Sequence, residues 1–515
     1  MIRGIFLPPT STRGNFEASA YPFNAASPQL HDVRCHQDKR TGLDEKAHTA
    51  VKVLQPKVPG SCDAVLSHSV LGLGDEESPT RALTRFVAET RYEDLPEDVI
   101  HETKRVLLDS VGVALGSLST ERGRIALAYA RHLGGPPEAK ILGAWDKVSC
   151  RSAAFANGEM ISDLDFDART ESGDWTIHLT PFVTPAPLAF AERESASGRS
   201  LILAVAVAHE VGARILSSVS SRSSRELTEP LVYGYSTGAF GGTAGSCSVL
   251  GYDRDKVANA LGIACQMIPV PTAGKWRLGA HSPMHKYCLA GWQGEIAVAA
   301  ATLAGMGYYS DSTFLDGERG FWRMYGATDD PKWGDLTDGL GEKWHIQGAD
   351  YKFYPHCAIT HPHLDAFASI IMENRLEPSE IDRVEVRGSP AGIFNPLRQN
   401  KEIRTHLDTQ FSIYYGFTAV AYGVKPVHWQ DPRVFTDPRL VGFMEKVTYE
   451  ADTTRKGVVT VRSKRGVFER EVASKRRSAR DGVEYGSWPP SSEEELEAFV
   501  ENNHRRKVSA RWRFT

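Results

Sequence analysis

The sequence predicts a mainly helical protein with a smaller α+β part: a large all-helical domain, and an α+β unit inserted before the C-terminal helix. Three observations carry this. Apolar residues recur at helical spacing from Ser78 to about 345. Beyond 345 the period switches to alternation in VEVRG (384–388), GVVTVRS (457–463) and VFEREV (467–472). Small residues crowd two adjacent helical stretches, Ala204, Ala208, Gly212 and Ala213 in one and Gly238, Gly241, Gly242 and Ala244 in the next, which lets helices approach closely.

In chain order, residues 1–77 are rich in Pro, Ser, Thr, His and Gly without a sustained period, and read as a disordered or extra extension. Ser78-Pro79 is an N-cap followed by Pro at the first helical position. Leu83, Phe86 and Val87 mark the first stripe, and 98–115 is a longer helix with Val99, Val106, Leu107, Val111 and Leu115 inward. Further helices are predicted over 152–163, 181–193, 199–217, 238–250, 255–267 and 289–306. The unit at 348–477 interleaves helices at 361–373, 410–422 and 438–446 with strands of an antiparallel sheet. SSEEELEAFVENN (491–503) starts acidic and reads as a helix that returns to the helical domain, so the organisation is 1–77, 78–347, 348–477 and 478–515.

Bulk properties narrow the function. With 515 residues and 41% hydrophobic content the chain can bury a large core, and a net charge of −4 gives no basic footprint for nucleic acid. The seven cysteines (Cys35, Cys62, Cys150, Cys247, Cys265, Cys288, Cys357) are scattered without CxxC, which argues against zinc ribbons and iron–sulfur sites and suits reduced cytoplasmic thiols. A mitochondrial presequence stays open, although Glu17, Asp32, Asp38, Asp44 and Glu45 interrupt an acid-poor leader. No run approaches the roughly 18 apolar residues of a membrane helix. HEVGAR (209–214) lacks the second His of a metalloprotease motif, and GGTAGS (241–246) reads as helix packing rather than a phosphate loop.

The densest chemistry is YKFYPHCAITHPHLDA (351–366). Thr360 and Pro362 suit a helix start, so Cys357 and His361 lie at a positive helix end with Lys352 just upstream, a place to hold a carboxylate and move a proton. His356 and His363 read as exposed bystanders. Cys357 reads equally as a small buried thiol and as a proton donor, and His361 as a ligand group or part of a cap.

RVLLDSVGVALGS (105–117), FANGEMISDLDFD (155–167), MHKYCLAGWQGEIAVAAATLAGMGY (284–308), FLDGERGFWRMYG (314–326), YKFYPHCAITHPHLDA and FSIYYG (411–416) occur in an order and spacing that resembles the MmgE/PrpD family over about residues 79–505. That family includes 2-methylcitrate dehydratase, cis-aconitate decarboxylase and iminodisuccinate epimerase. The resemblance implies a homodimer of helical domains, each with an α+β lid, and no cofactor or metal.

Residue by residue, Asp165 and Asp167 stand in an LDFDD-like loop whose second Asp of the pair is Ala168, and His178 matches the His that closes it. The intervening ARTESGDWT is longer than usual, and Arg169 or Thr170 takes the place of a substrate-binding Thr. Lys286 matches the lysine of a TKPLH-like motif whose His is Leu289 here. Lys352 matches the lysine at the start of the lid, and His361 and Tyr415 have counterparts in the family pattern. Cys357 aligns with a catalytic His of the decarboxylase branch. A family His before the small-residue helix has no counterpart in LVYGYSTGAFGG (231–242), where Tyr233, Tyr235 or Ser236 stands instead.

On this reading His178 is the general acid/base, Asp165 orients it, and Tyr415 or Cys357 serves the opposite face. Lys286, Lys352, His361, Thr170 and Arg169 hold the substrate. The expected activity is dehydration of a citrate-like polycarboxylate such as 2-methylcitrate. The alternatives are decarboxylation or epimerisation of a related acid such as cis-aconitate, or carboxylate binding alone.

Overall fold

The computed structural model describes residues 78–472 apart from 173–174, 221–236, 270–275, 277, 318, 326–331, 390–395 and 453–456. The expectations for 1–77, for Tyr233, Tyr235 and Ser236, and for the returning helix at 491–503 lie outside the described residues. Every element below belongs to the unit Leu73–Thr515.

Ser78 accepts the Arg81 N–H at 3.4 Å, and Pro79 opens α1 (Pro79–Glu89), which buries Leu83, Phe86 and Val87. In α2 (Glu97–Ser117) the buried face is Val99, Val106, Val113 and Ala114; Leu107, Val111 and Leu115 are only half-buried. α3 (Glu121–Leu133) is missing from the sequence reading because its large apolar residues Ile125, Tyr129 and Leu133 face outward and mark no core stripe. A two-stranded sheet, β1 (Ala139–Lys140) with β2 (Lys147–Val148), leads into α4 (Cys150–Asp163).

The first part is not purely helical. ARTESGDWT forms a hairpin, β3 (Arg169–Ser172) against β4 (Trp175–Ile177), and β3 also pairs with the later β5 (Ala349–Asp350). The helix expected over 181–193 is two, α5 (Thr180–Val183) and α6 (Pro185–Arg193), because Pro185 supplies no N–H to continue the ladder.

Next come α7 (Gly198–Ser220), α8 (Gly238–Leu250), α9 (Arg254–Met267), α10 (Ala290–Gly305) and the short α11 (Phe321–Met324) and α12 (Trp333–Thr337). The small residues act as predicted. A Cβ on Gly241 would collide with the Ala208 carbonyl, and one on Gly245 with the Ala204 carbonyl, so α7 and α8 touch backbone to backbone. Gly291 and Gly294 of α10 meet the Phe155 and Ala154 carbonyls of α4 in the same way.

The 201–208 run is the middle of a helix whose segment Gly198–Ser218 is, contrary to the sequence reading, long and apolar enough to cross a membrane; 78% of it is buried inside the protein, as in a core helix.

A second hydrophobic core begins after residue 360. Its elements are α13 (His361–Asn374), β6 (Ile381–Gly388), α14 (His406–Thr409), α15 (Ile413–Ala421), α16 (Pro432–Phe435), α17 (Pro438–Phe443), β7 (Val447–Ala451), β8 (Val458–Ser463) and β9 (Gly466–Glu471). The sheet order is β7-β6-β8-β9. It is mixed rather than antiparallel, because a long helical crossover returns β7 alongside β6 in the same direction. Leu364, Phe367 and Ile370 of α13 pack with Phe417 of α15 over Val384, Val386, Val459 and Val461.

Candidate active site

α4 ends at Asp163, and two residues later the chain enters the left-handed region at Asp165 (φ 51°). A non-glycine side chain there costs energy that the surroundings must offset. They do so through three donors. Lys286 Nζ donates to Asp165 Oδ1 at 2.9 Å, the Tyr287 hydroxyl to the same oxygen at 3.1 Å, and Lys352 Nζ to Oδ2 and, at 2.7 Å, to the Asp165 main-chain carbonyl. Tyr287 is itself left-handed (φ 64°), so two of the four strained non-glycine residues in the described chain meet at one carboxylate.

The three charges are fully buried. Burial would raise the Asp165 carboxyl, but Lys286 and Lys352 hold it well below its ordinary range. Burial brings Lys286 down to about 8 despite Asp165 and Asp167. Lys286 also donates to Gln410 Oε1 at 2.8 Å. The Gln410 amide donates to the Asp163 carbonyl at 2.7 Å, and Gln430 donates to the Leu164 carbonyl at 2.7 Å. Two residues from the second part of the chain thus hold the 163–165 turn in place.

His178 follows β4 and is buried. Its Nδ1–H donates to Asp167 Oδ2 at 2.8 Å, while Asp165 Oδ1 is 3.9 Å from Nε2. Asp167, not Asp165, therefore orients the imidazole, because the strained turn aims Asp165 at the lysines. Burial, aided by Lys352, lowers the His178 pKa against the pull of Asp167 and Asp165, so the ring is neutral with its lone pair on Nε2. The Tyr287 ring stacks on it at 4.7 Å between centroids, with the hydroxyl 3.2 Å from Nε2. Behind the loop, Asp109 of α2 accepts the Ala168 N–H at 2.8 Å, and burial pushes its carboxyl up to about 7.

Arg169 pairs with Asp350 across β3 and β5. Its buried Nε and the buried Thr170 hydroxyl have no hydrogen-bond partner among the described residues, as groups awaiting a polar ligand would. His361 is buried, donates Nε2–H to the His356 carbonyl at 3.0 Å, and is kept neutral by burial and by Lys352 and Arg169. Cys357 is buried with Trp276, Leu397 and Phe411, and Tyr287 packs against that group.

Other expectations are corrected. Tyr415 is 1% exposed in the second core and its hydroxyl donates to the Trp429 carbonyl, so it is a core tyrosine. His356 and His363 are buried, not exposed. His356 donates Nε2–H to the Ser412 carbonyl at 3.0 Å, and burial lowers it to about 4. His363 lies against Gly388 and Gly457, where the lack of Cβ atoms makes room for its ring. Thr360 does not cap α13; its hydroxyl donates to the Cys357 carbonyl, and a 3-10 turn, Ala358–Thr360, runs straight into the helix. Sequence reasoning missed Tyr287, Asp109 and Gln410; the first two lie inside quoted motifs, beside Lys286 and in RVLLDSVG.

Among the described residues no three His, Cys, Asp or Glu side chains are grouped to hold a metal ion. A cavity of about 660 Å³ is lined by residues that include Leu376, Tyr422, Arg439 and Phe443, and none of the site residues is among them.

The division into a helical part and an α+β part agrees with the family comparison, which matches two successive domains. The MmgE/PrpD N-terminal domain matches residues 81–334 and the MmgE/PrpD C-terminal domain residues 354–505. The chain belongs to the MmgE/PrpD family. It is 28% identical over 325 residues to cis-aconitate decarboxylase of Homo sapiens, covering 60% of this chain and 64% of that protein. Cis-aconitate decarboxylase of Aspergillus terreus is 24% identical over 331 residues, covering 61% and 65%. That of Mus musculus is 26% identical over 325 residues, covering 60% and 64%. The chain spans just under two thirds of the length of these curated relatives.

Proposed function

We propose that the chain is a cofactor-independent lyase that decarboxylates an unsaturated tricarboxylate of the cis-aconitate class. One observation carries this reading: the neutral His178, held by Asp167, beside the two buried ammonium groups of Lys286 and Lys352. The relatives named above support the choice of reaction. A substrate carboxylate takes over donors that Asp165 now occupies, and Arg169 and Thr170 hold another. When CO2 leaves, the electron pair spreads toward the remaining carboxylates, where the ammonium groups stabilise it. A proton from the His178 end then completes the product. In this reading residues 348–477 form the lid that brings Lys352 and His361 to the substrate.

Dehydration of a citrate-like acid is the second reading. Cys357, at the position where the decarboxylase branch carries His, favours it. Incubation of the purified protein with cis-aconitate and with 2-methylcitrate separates the two. Release of CO2 from the first supports decarboxylation. An alkene formed from the second without CO2 supports dehydration, and turnover of neither overturns both.

A further inference from the structure

Resting on that reading, we propose that the phenol of Tyr287, not the imidazole of His178, is the group that hands the proton to the substrate carbon, with Asp167 and His178 as its positioning pair.

The argument is a count of protons. The carboxylate of Asp167 takes the Nδ1–H of His178 at 2.8 Å. A neutral imidazole has one N–H, so Nε2, the end pointing away from Asp167, carries none. The Tyr287 oxygen lies 3.2 Å from that Nε2 and 3.1 Å from Asp165 Oδ1. Its single hydrogen is thus a proton available at this end of the chain, beside the ammonium protons of Lys286, and among the described residues it is shared between two acceptors. The ring stacked on His178 fixes the direction of the phenol, and Tyr287 is only half-buried where His178 and Lys286 are buried. Lys286 Nζ stands 5.8 Å from the Tyr287 ring centroid. The left-handed backbone that presents this side chain is an expense a packing residue does not need.

The step balances. The C–C bond to the leaving carboxylate breaks, CO2 departs, and the electron pair stays on the substrate skeleton. That pair takes the Tyr287 hydroxyl proton and becomes the new C–H bond. The O–H pair remains on the phenolate oxygen beside Lys286, and water from the cleft returns the proton. Asp167 fixes the imidazole and the imidazole fixes the phenol, so the pair aims the donor without itself carrying the transferred proton.

The test pairs Tyr287→Phe, which keeps the ring stack, with wild type. Expected are a fall in kcat of about 10²- to 10⁴-fold on cis-aconitate, unchanged KM, unchanged binding of the saturated tricarboxylate propane-1,2,3-tricarboxylate by calorimetry, and a shifted ¹⁵N resonance of His178 Nε2. A kcat within threefold of wild type overturns the proposal. So does an unmoved Nε2 resonance, which reads the phenol–imidazole contact even if no acid is turned over and only the proposed reaction has failed. Loss of tricarboxylate binding alongside kcat also overturns it, since Tyr287 would then be a binding residue.

Discussion

Residues 352–363 and the Asp165–His178–Lys286–Tyr287 group pose opposite cases. The first packs one lysine, one cysteine and three histidines into a dozen positions, yet most are spoken for. His356 is fixed between the Ser412 carbonyl and Thr360, His363 fills room left by two glycines, and Lys352 alone of the five bonds to Asp165, while His356 and His361 feel the cluster's charges without touching it. The second is built from three distant segments, each with little signal of its own, and it concentrates buried charge, left-handed backbone and an ambiguous proton. Density of polar residues in sequence marks a place worth attention. The capacity for chemistry follows from whether their hydrogen bonds are already committed.

Substitutions in the two groups should therefore separate stability from turnover. The largest effect is expected for Asp165→Ala, which strands two ammonium groups in the interior; a loss of about 3–5 kcal/mol in urea unfolding follows from breaking a buried pair. A midpoint close to wild type would show that the lysines relax to solvent instead. Asp167→Asn should leave unfolding nearly unchanged while lowering kcat about 10²- to 10⁴-fold, because an amide no longer enforces the Nδ1–H tautomer. Retention of kcat would move the orienting role to another group.

Lys286 sharpens the contrast through pH. Its pKa of about 8 means the ammonium form is lost as pH rises through that value. If it holds a substrate carboxylate, KM should climb about tenfold for each pH unit above 8, with kcat less affected. A KM flat to pH 9.5 removes Lys286 from binding. In the opposite direction, the lowered pKa of His178 keeps it neutral into mildly acidic solution, so acid should cost activity only once its depressed pKa is passed. The smallest effect belongs to Tyr415→Phe, which orphans the Trp429 carbonyl and should cost about 1–3 kcal/mol of stability with kcat intact. A kcat loss matching that of Tyr287→Phe would return Tyr415 to the catalytic set.

Much of the helical scaffold was legible because its cause is local. The Ser78-Pro79 start follows from capping, and the tight α7–α8 contact from small residues at helical spacing. The hairpin in ARTESGDWT was not, since β3 is stabilised partly by β5 some 180 residues later in the chain, which no window of sequence contains. The site divides the same way. The family resemblance pointed to His178, Lys286 and Lys352, but which carboxylate serves which partner depends on the sign of φ at Asp165. That choice passes the orienting role expected of Asp165 to Asp167. Tyr287 escaped notice beside a lysine with stronger chemical identity, and Tyr415 drew notice from a motif whose tyrosine here closes a core hydrogen bond.

The left-handed turns at Asp165 and Tyr287 have an evolutionary corollary. Glycine would relieve the backbone at either position by about 1 kcal/mol, the usual penalty for a side chain there. At Tyr287, where no buried charge is stranded, a selection for heat tolerance alone would weigh that relief against the loss of the phenol's contacts with Asp165 and His178 and of its ring contacts with His178 and Trp276. A tyrosine at φ 64° costs backbone energy that glycine would not, and what the fold receives for it is a phenol set against Asp165 and His178.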